Sequence, residues 1–228
     1  MLERMTSLLR PIGRLLDLAL PAACAGCGVE GEPLCARCRP ALDARLTLPA
    51  GTPLGLADGP PEPLLQLDWC APFAGVTRRA LHALKYAGER RLAVPLGAVV
   101  AARWRVVGAG GDLFVPVPVH LSRRRERGYD QAELIAAAAS DALGLPWRPA
   151  LARSRATAAQ YRLDRRHRAS NVHAAFEVRA GPAGGVAGRW VVLVDDVVTT
   201  GATLVACAEA LLASGATAVS AVTVARER

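Results

Sequence analysis

Aromatic side chains make up only 4% of the 228 residues: three Phe, three Tyr and four Trp. A single-stranded nucleic-acid surface built from stacked rings therefore has few candidates. Lysine is almost absent. Lys85 is the sole one, and the other 27 basic residues are arginines. Such a bias reads as codon composition, so no single arginine carries weight by itself. No apolar run approaches the roughly 20 residues of a membrane span. Histidine is sparse: His82, His120, His167 and His173 are scattered and form no cluster. Internal repeats are missing, which excludes solenoid architectures.

What is present is a globular composition. Apolar residues make 52% of the chain and charged residues 21%, enough to bury a core. The net charge of +8 suits a polyanionic partner, either nucleic acid or a ligand with several phosphates. The N-terminus imitates a signal peptide, with Arg4, then leucines, then an Ala-rich segment before Cys24. Pro11, Gly13, Arg14 and Asp17 interrupt its apolar stretch, and Leu8, Leu9, Ile12, Leu15 and Leu16 fall at helical spacing. An amphipathic helix and a cytoplasmic protein are the expectation.

Three blocks follow one another. Residues 1–48 hold the helix and four clustered cysteines; 49–64 form a Pro/Gly-rich linker; 65–228 alternate strand and helix patterns. Helices are expected at Val76–Tyr86, Arg91–Val107, Asp130–Leu143 and Gly201–Ser214. Leu113–Val119 reads as a strand interrupted by prolines, so short or near an edge. Val191–Val194 reads as a central parallel strand and Ala218–Ala225 as the last one. The alternation indicates an α/β fold, a parallel sheet flanked by helices on both faces.

Cys24 and Cys27 form one CxxC pair and Cys35 and Cys38 another, seven residues apart. Two such pairs can each clasp a metal from one side and close a tetrahedral four-thiolate site, a structural Zn2+ knuckle with no open position; the alternative is a disulfide pair or no metal, and a cytoplasmic compartment disfavours the disulfide. Gly26, Gly28 and Gly31 permit the tight turns this needs. Cys70 and Cys207 have no partner in sequence, and Cys207 sits in an apolar helix pattern that places it in the core.

The strongest signal is VVLVDDVVTTGAT, Val191–Thr203. Asp195 and Asp196 stand at the carboxyl end of a buried strand, where open α/β sheets place ligands. Adjacent carboxylates there repel, so they need a reason. Bridging vicinal hydroxyls or holding a divalent cation would supply one. Thr199, Thr200, Gly201, Ala202 and Thr203 then turn into a helix, bringing hydroxyls and backbone N–H groups to its N-terminus, a phosphate cradle. A merely capped helix would explain one threonine and not this whole pattern.

Two basic stretches accompany it: Pro116–Gln131, a strand leading into a basic loop and then a helix, and Ala156–Asn171. Either is also readable as a solvated basic loop. Lys85 lies in LHALKYAGER, where a lone lysine is either kept for its compact ammonium or is a surface residue that escaped the bias.

The Val191–Thr203 stretch resembles the 5-phosphoribosyl 1-pyrophosphate (PRPP) motif of type I phosphoribosyltransferases. That resemblance implies that Asp195 and Asp196 hold ribose hydroxyls and that Val198, Thr199, Thr200, Gly201, Ala202 and Thr203 hold the 5-phosphate, with Mg2+ accompanying PRPP. It also implies a pyrophosphate loop at Val119, His120, Leu121 and Ser122. Ala156–Asn171 would be the mobile loop closing over the site, with Arg166 as its catalytic arginine beside the two acids.

With the blocks in order, the chain resembles the ComF family of competence proteins. The resemblance rests on CAGC and CARC, ALKYAGER, VPVPVHLSRRRERGYDQAELIA, ARSRATAAQYRLDRRHRASNV and VVLVDDVVTTGAT. Asp130 departs from the asparagine expected after the RG-aromatic triplet. The resemblance implies a role in DNA uptake, with single-stranded DNA and a helicase-like protein as partners. Three functions fit these features: phosphoribosyl transfer to an unknown acceptor, a zinc-containing adaptor for DNA and protein, and a PRPP-responsive regulator.

Overall fold

The computed structural model describes residues 22–51, 59–153, 175–181 and 184–227. The expected N-terminal helix, linker residues 52–58, the Ala156–Asn171 stretch with Arg166 and His167, and His173 lie outside the described residues.

The central sheet has four strands: β3 (Gln66–Pro72), β4 (Leu113–Pro116), β7 (Trp190–Val198) and β8 (Ala218–Arg226), in the order β3-β8-β7-β4. Every pairing is parallel, with Val194 opposite Pro116 on one side and Val222 on the other. All carboxyl ends therefore share one edge, and β7 is an inner strand. Its run from Val191 to Val194 is wholly buried, as a strand covered on both faces requires. β4 is the short edge strand anticipated from Pro116 and Pro118.

One face is covered by α1 (Gly75–Tyr86), α2 (Ala93–Val107) and α4 (Gln131–Leu143), whose Leu81, Leu84, Leu96, Val100 and Ile135 pack on Val192, Val194 and Val222. The other face is covered by α5 (Ala202–Ala213), with Leu204, Cys207 and Leu211 on Leu193 and Ala221. A small antiparallel pair, β5 (Leu151–Arg153) and β6 (Phe176–Val178), extends that second core. Cys207 is fully buried, as its helix pattern indicated, and burial pushes its thiol well above the usual range.

The basic stretch after β4 is not a loop. Leu121–Arg127 forms a short helix, α3, so Leu121 and Ser122 stand in its first turn. Its ends supply what composition did not: His120 Nδ1 accepts the Ser122 N–H at 3.3 Å, and Gly128 closes it in a left-handed conformation at φ 74°.

The four-cysteine segment, with the strands β1 (Ala22–Ala23) and β2 (Glu30–Gly31) pairing antiparallel, shares the first core. Cys24, Leu34, Cys38 and Leu42 pack in the same cluster as Ala80 and Leu81 of α1. The chain leaving this segment is fastened by a buried charge network. The Arg103 guanidinium on α2 grips Asp68 of β3 through both carboxylate oxygens, at 3.0 and 2.9 Å, and donates to the carbonyls of Arg45, Leu48 and Pro49. Arg45 adds a donor to the Trp69 carbonyl at 3.0 Å and lies 3.9 Å from the Trp69 ring centre. Arg103 and Asp68 are 1% and 0% exposed, so their charges stand because they are paired, with Arg45 a second cation 3.6 Å from the same carboxylate.

Candidate functional site

The site is built at the carboxyl end of β7. Strand alternation sends neighbouring side chains to opposite faces. Asp195 lines a small cavity of about 50 Å³ with Val197, Val198, Thr199, Thr200, Gly201, Ala202, Thr203 and Leu204. Gly201 caps α5 at φ 83°, a conformation that favours glycine, and lets the chain reverse so that hydroxyls and N–H groups converge there. Thr200 Oγ1 accepts the Ala202 N–H at 3.4 Å. Thr199, Thr200 and Thr203 are exposed, available to a ligand.

Asp196 is buried at 5% exposure and turns toward α1 and α4. Lys85 Nζ lies 2.6 Å from its Oδ2, and Gln131 Nε2 donates to the same oxygen at 3.2 Å. Its backbone N–H donates to Asp195 Oδ1 at 2.8 Å. Withdrawal from water, and then the adjacent Asp196 carboxylate, hold the Asp195 carboxyl well above the usual carboxylate range; the Asp196 N–H and Lys85 work in the opposite direction. Neither Lys85 nor Gln131 stood out as a site residue in the sequence. The one available signal was that Lys85 is the only lysine.

Val119 and His120 follow β4 at the same edge of the sheet. Asp130 pins this turn: its Oδ2 accepts the Val119 N–H at 2.9 Å, while Oδ1 caps α4 through Ala132 and Glu133 at 2.9 and 3.4 Å. Two carboxylate oxygens can accept from both sides at once, which an asparagine amide cannot. That accounts for the aspartate at this position. Burial holds its pKa above the usual carboxylate value, and the three backbone donors offset only part of that rise.

The four cysteine sulfurs lie within 4.8 Å of one another, with Cys27 and Cys35 Sγ 3.6 Å apart. Four thiolates on a zinc ion would stand about 3.8 Å apart, given Zn–S bonds of about 2.3 Å, so the cluster fits a metal ion with little rearrangement. Gly26 is packed so tightly that a Cβ would come 2.5 Å from Cys38 Sγ. Burial opposes ionisation of the Cys24 thiol, yet backbone N–H groups of Cys35, Cys27 and Gly26 bring it down to about 6. Burial and the neighbouring thiols push Cys38 up to about 12. A cation is what would let all four ionise together.

Comparison with known proteins bears on this arrangement. The phosphoribosyl transferase domain family matches residues 131–228, the part that contains Gln131, both acids and the β7–α5 turn. The DNA utilization protein YhgH of Escherichia coli (strain K12) is 36% identical over 174 residues, covering 73% of this chain and 74% of that protein. Its counterpart in Escherichia coli O157:H7 is 32% identical over 206 residues, 87% of this chain and 86% of that protein. The chain belongs to the ComF family. Its fold is phosphoribosyltransferase-like, with a four-cysteine cluster at the N-terminal end. Among solved structures, the glutamine PRPP amidotransferase from B. subtilis aligns at a TM-score of 0.40 and 23% identity, over 57% of the ComF-family chain and 25% of that longer one. No helix among the described residues is long and apolar enough to cross a membrane.

Proposed function

We propose that this ComF-family chain binds PRPP with Mg2+ at the β7–α5 turn and serves the handling of imported DNA in the cytoplasm. The observation that carries the reading is the convergence of the Asp195 carboxylate with the Thr199–Thr203 hydroxyls and backbone on one small polar cavity. Asp195 and Asp196 accept the ribose hydroxyls, and Val198 to Thr203 enclose the 5-phosphate at the α5 N-terminus. Val119, His120, Leu121 and Ser122 meet the pyrophosphate, whose charge Mg2+ shields. The same layout suits transfer of the phosphoribosyl group to an acceptor, with Arg166 supplying a cation for the departing pyrophosphate. Zn2+ at Cys24, Cys27, Cys35 and Cys38 is structural, because four thiolates leave no open position. The relatives named for DNA utilization support the DNA part of the reading. The test is PRPP binding with and without Mg2+, in the wild type and in Asp195→Asn with Asp196→Asn. Mg2+-dependent binding that the double variant loses is the expected result.

A second reading, contact with single-stranded DNA, is favoured by Tyr86. Its ring is 57% exposed, 4.6 Å from the His82 ring and 5.0 Å from the Arg127 guanidinium. Arg78 and Arg79 continue the same basic face along a groove of about 470 Å³. One exposed ring flanked by cations offers a base a stacking surface and its phosphates a counter-charge.

A further inference from the structure

The two acids of the β7 end are treated differently by the fold. Asp195 faces the cavity, whereas Asp196 faces the helices, where two groups converge on one of its oxygens. Lys85, in the last turn of α1, and Gln131, in the first turn of α4, both engage Oδ2. Among the described residues, the cation and the amide that reach this carboxylate both engage Oδ2, and the other side chain beside it is the Asp195 carboxyl.

The placement of Lys85 is itself built. Tyr129 donates its hydroxyl to the Leu84 carbonyl, Arg90 stacks 4.5 Å over the Tyr129 ring, and Arg127 stacks over Tyr86. Two segments far apart in sequence, 84–90 and 127–131, are thus locked together around Asp196. The Lys85 side chain is 18% exposed, so the pair is partly shielded from water and its geometry is held.

Charge shape is the remaining clue. Every other basic residue in the chain is arginine, whose planar fork takes both oxygens of a carboxylate. An ammonium is a compact charge that can hold one oxygen and leave the other.

We propose that Lys85 is a positioning residue of the ligand site: it fixes Asp196 through Oδ2 and leaves Oδ1 for a hydroxyl of the phosphorylated sugar. This rests on the PRPP reading above. It also splits the acid pair into Asp195, turned to the cradle, and Asp196, anchored from behind by Lys85 and Gln131.

The full-length protein labelled with 15N-lysine tests both levels, because its single lysine gives a single side-chain ammonium signal. That signal is expected to be protected from exchange, to persist in Asp195→Asn and to vanish in Asp196→Asn. An unprotected signal in the wild type, or one indifferent to Asp196→Asn, would overturn the anchor. PRPP with Mg2+ is then titrated into the wild type, Lys85→Arg and Lys85→Met, with thermal melting of each. Lys85→Arg should melt like the wild type yet bind PRPP about ten- to a hundred-fold more weakly, because its fork covers Oδ1. Lys85→Met should lose comparable affinity by freeing the carboxylate. Wild-type affinity in Lys85→Arg refutes the positioning role while sparing the PRPP reading. A protected ammonium in a wild type that binds no PRPP refutes that reading while the anchor stands.

Discussion

Lys85 Nζ and Asp196 Oδ2 stand 2.6 Å apart, joining the last turn of α1 to the carboxyl end of the central strand. The contact places a cation directly behind a pair of adjacent carboxylates that would otherwise repel each other at the carboxyl edge of the sheet. It also ties the ALKYAGER segment, whose purpose was not legible alone, to the acid pair that dominates the sequence.

Asp195 is a group the fold holds against its own stability. Its folded pKa is raised, so the folded state binds this proton more tightly than the unfolded chain. The associated stability is fully present below the unfolded value near 3.8 and is lost as pH rises through the folded value. At neutral pH, Asp195→Asn should therefore raise the melting temperature, since the amide oxygen still accepts the Asp196 N–H without a buried charge. The gain should shrink as pH is lowered. Thermal melts of both proteins across pH check it, and an Asn variant less stable than wild type at pH 7 would count against the assignment.

The buried Asp68–Arg103 pair should behave oppositely. Asp68→Asn leaves two guanidiniums, Arg103 and Arg45, without their carboxylate in a dry environment. The expected cost is about 3–5 kcal/mol, read by chemical denaturation. Residues 45–49 should also lose protection in hydrogen exchange, because their carbonyls are held by the same guanidinium.

Asp130→Ala removes the cap of α4 and the anchor of Val119 together. A loss of about 1–2 kcal/mol is expected for the cap and the freed donors. If the turn at Val119 and His120 meets pyrophosphate, PRPP affinity should fall as well. Pyrophosphate and ribose 5-phosphate, titrated separately, distinguish the effects: the first should weaken more.

Tyr86→Ala tests the nucleic-acid reading. Affinity for single-stranded DNA should drop by about 1–3 kcal/mol if a base stacks on the ring. Affinity should also fall steeply with salt, since arginines on this face neutralise phosphates. Fluorescence anisotropy at several salt concentrations reads both, and an unchanged affinity for Tyr86→Ala removes this surface from consideration.

Much of the architecture was legible because local signals and tertiary context agree. Four consecutive apolar residues, then Asp-Asp, then Thr-Thr-Gly-x-Thr describe a buried strand, its carboxyl end and a helix start, and the structure contains all three. The two CxxC pairs likewise pre-announced a cluster that folds to within metal-ligand reach. The helix Leu121–Arg127 was read as a loop because five of its seven residues are charged and no apolar stripe marks it. Its formation rests on His120 and Gly128, single residues at its ends. Lys85 and Gln131 could not be joined to Asp196 by any spacing rule, because the pairing exists only once α1 and α4 lie on the same face of the sheet. The Arg103–Asp68 network is hidden for the same reason, compounded by a sequence in which arginine is commonplace.

Calorimetric titration of PRPP into the purified protein, with and without Mg2+, bears most directly on the account. The predicted result is Mg2+-dependent binding of one PRPP per chain, abolished in Asp195→Asn with Asp196→Asn while zinc content and melting behaviour show an intact fold. Absence of binding by the wild type, or equal binding by the double variant, would contradict it.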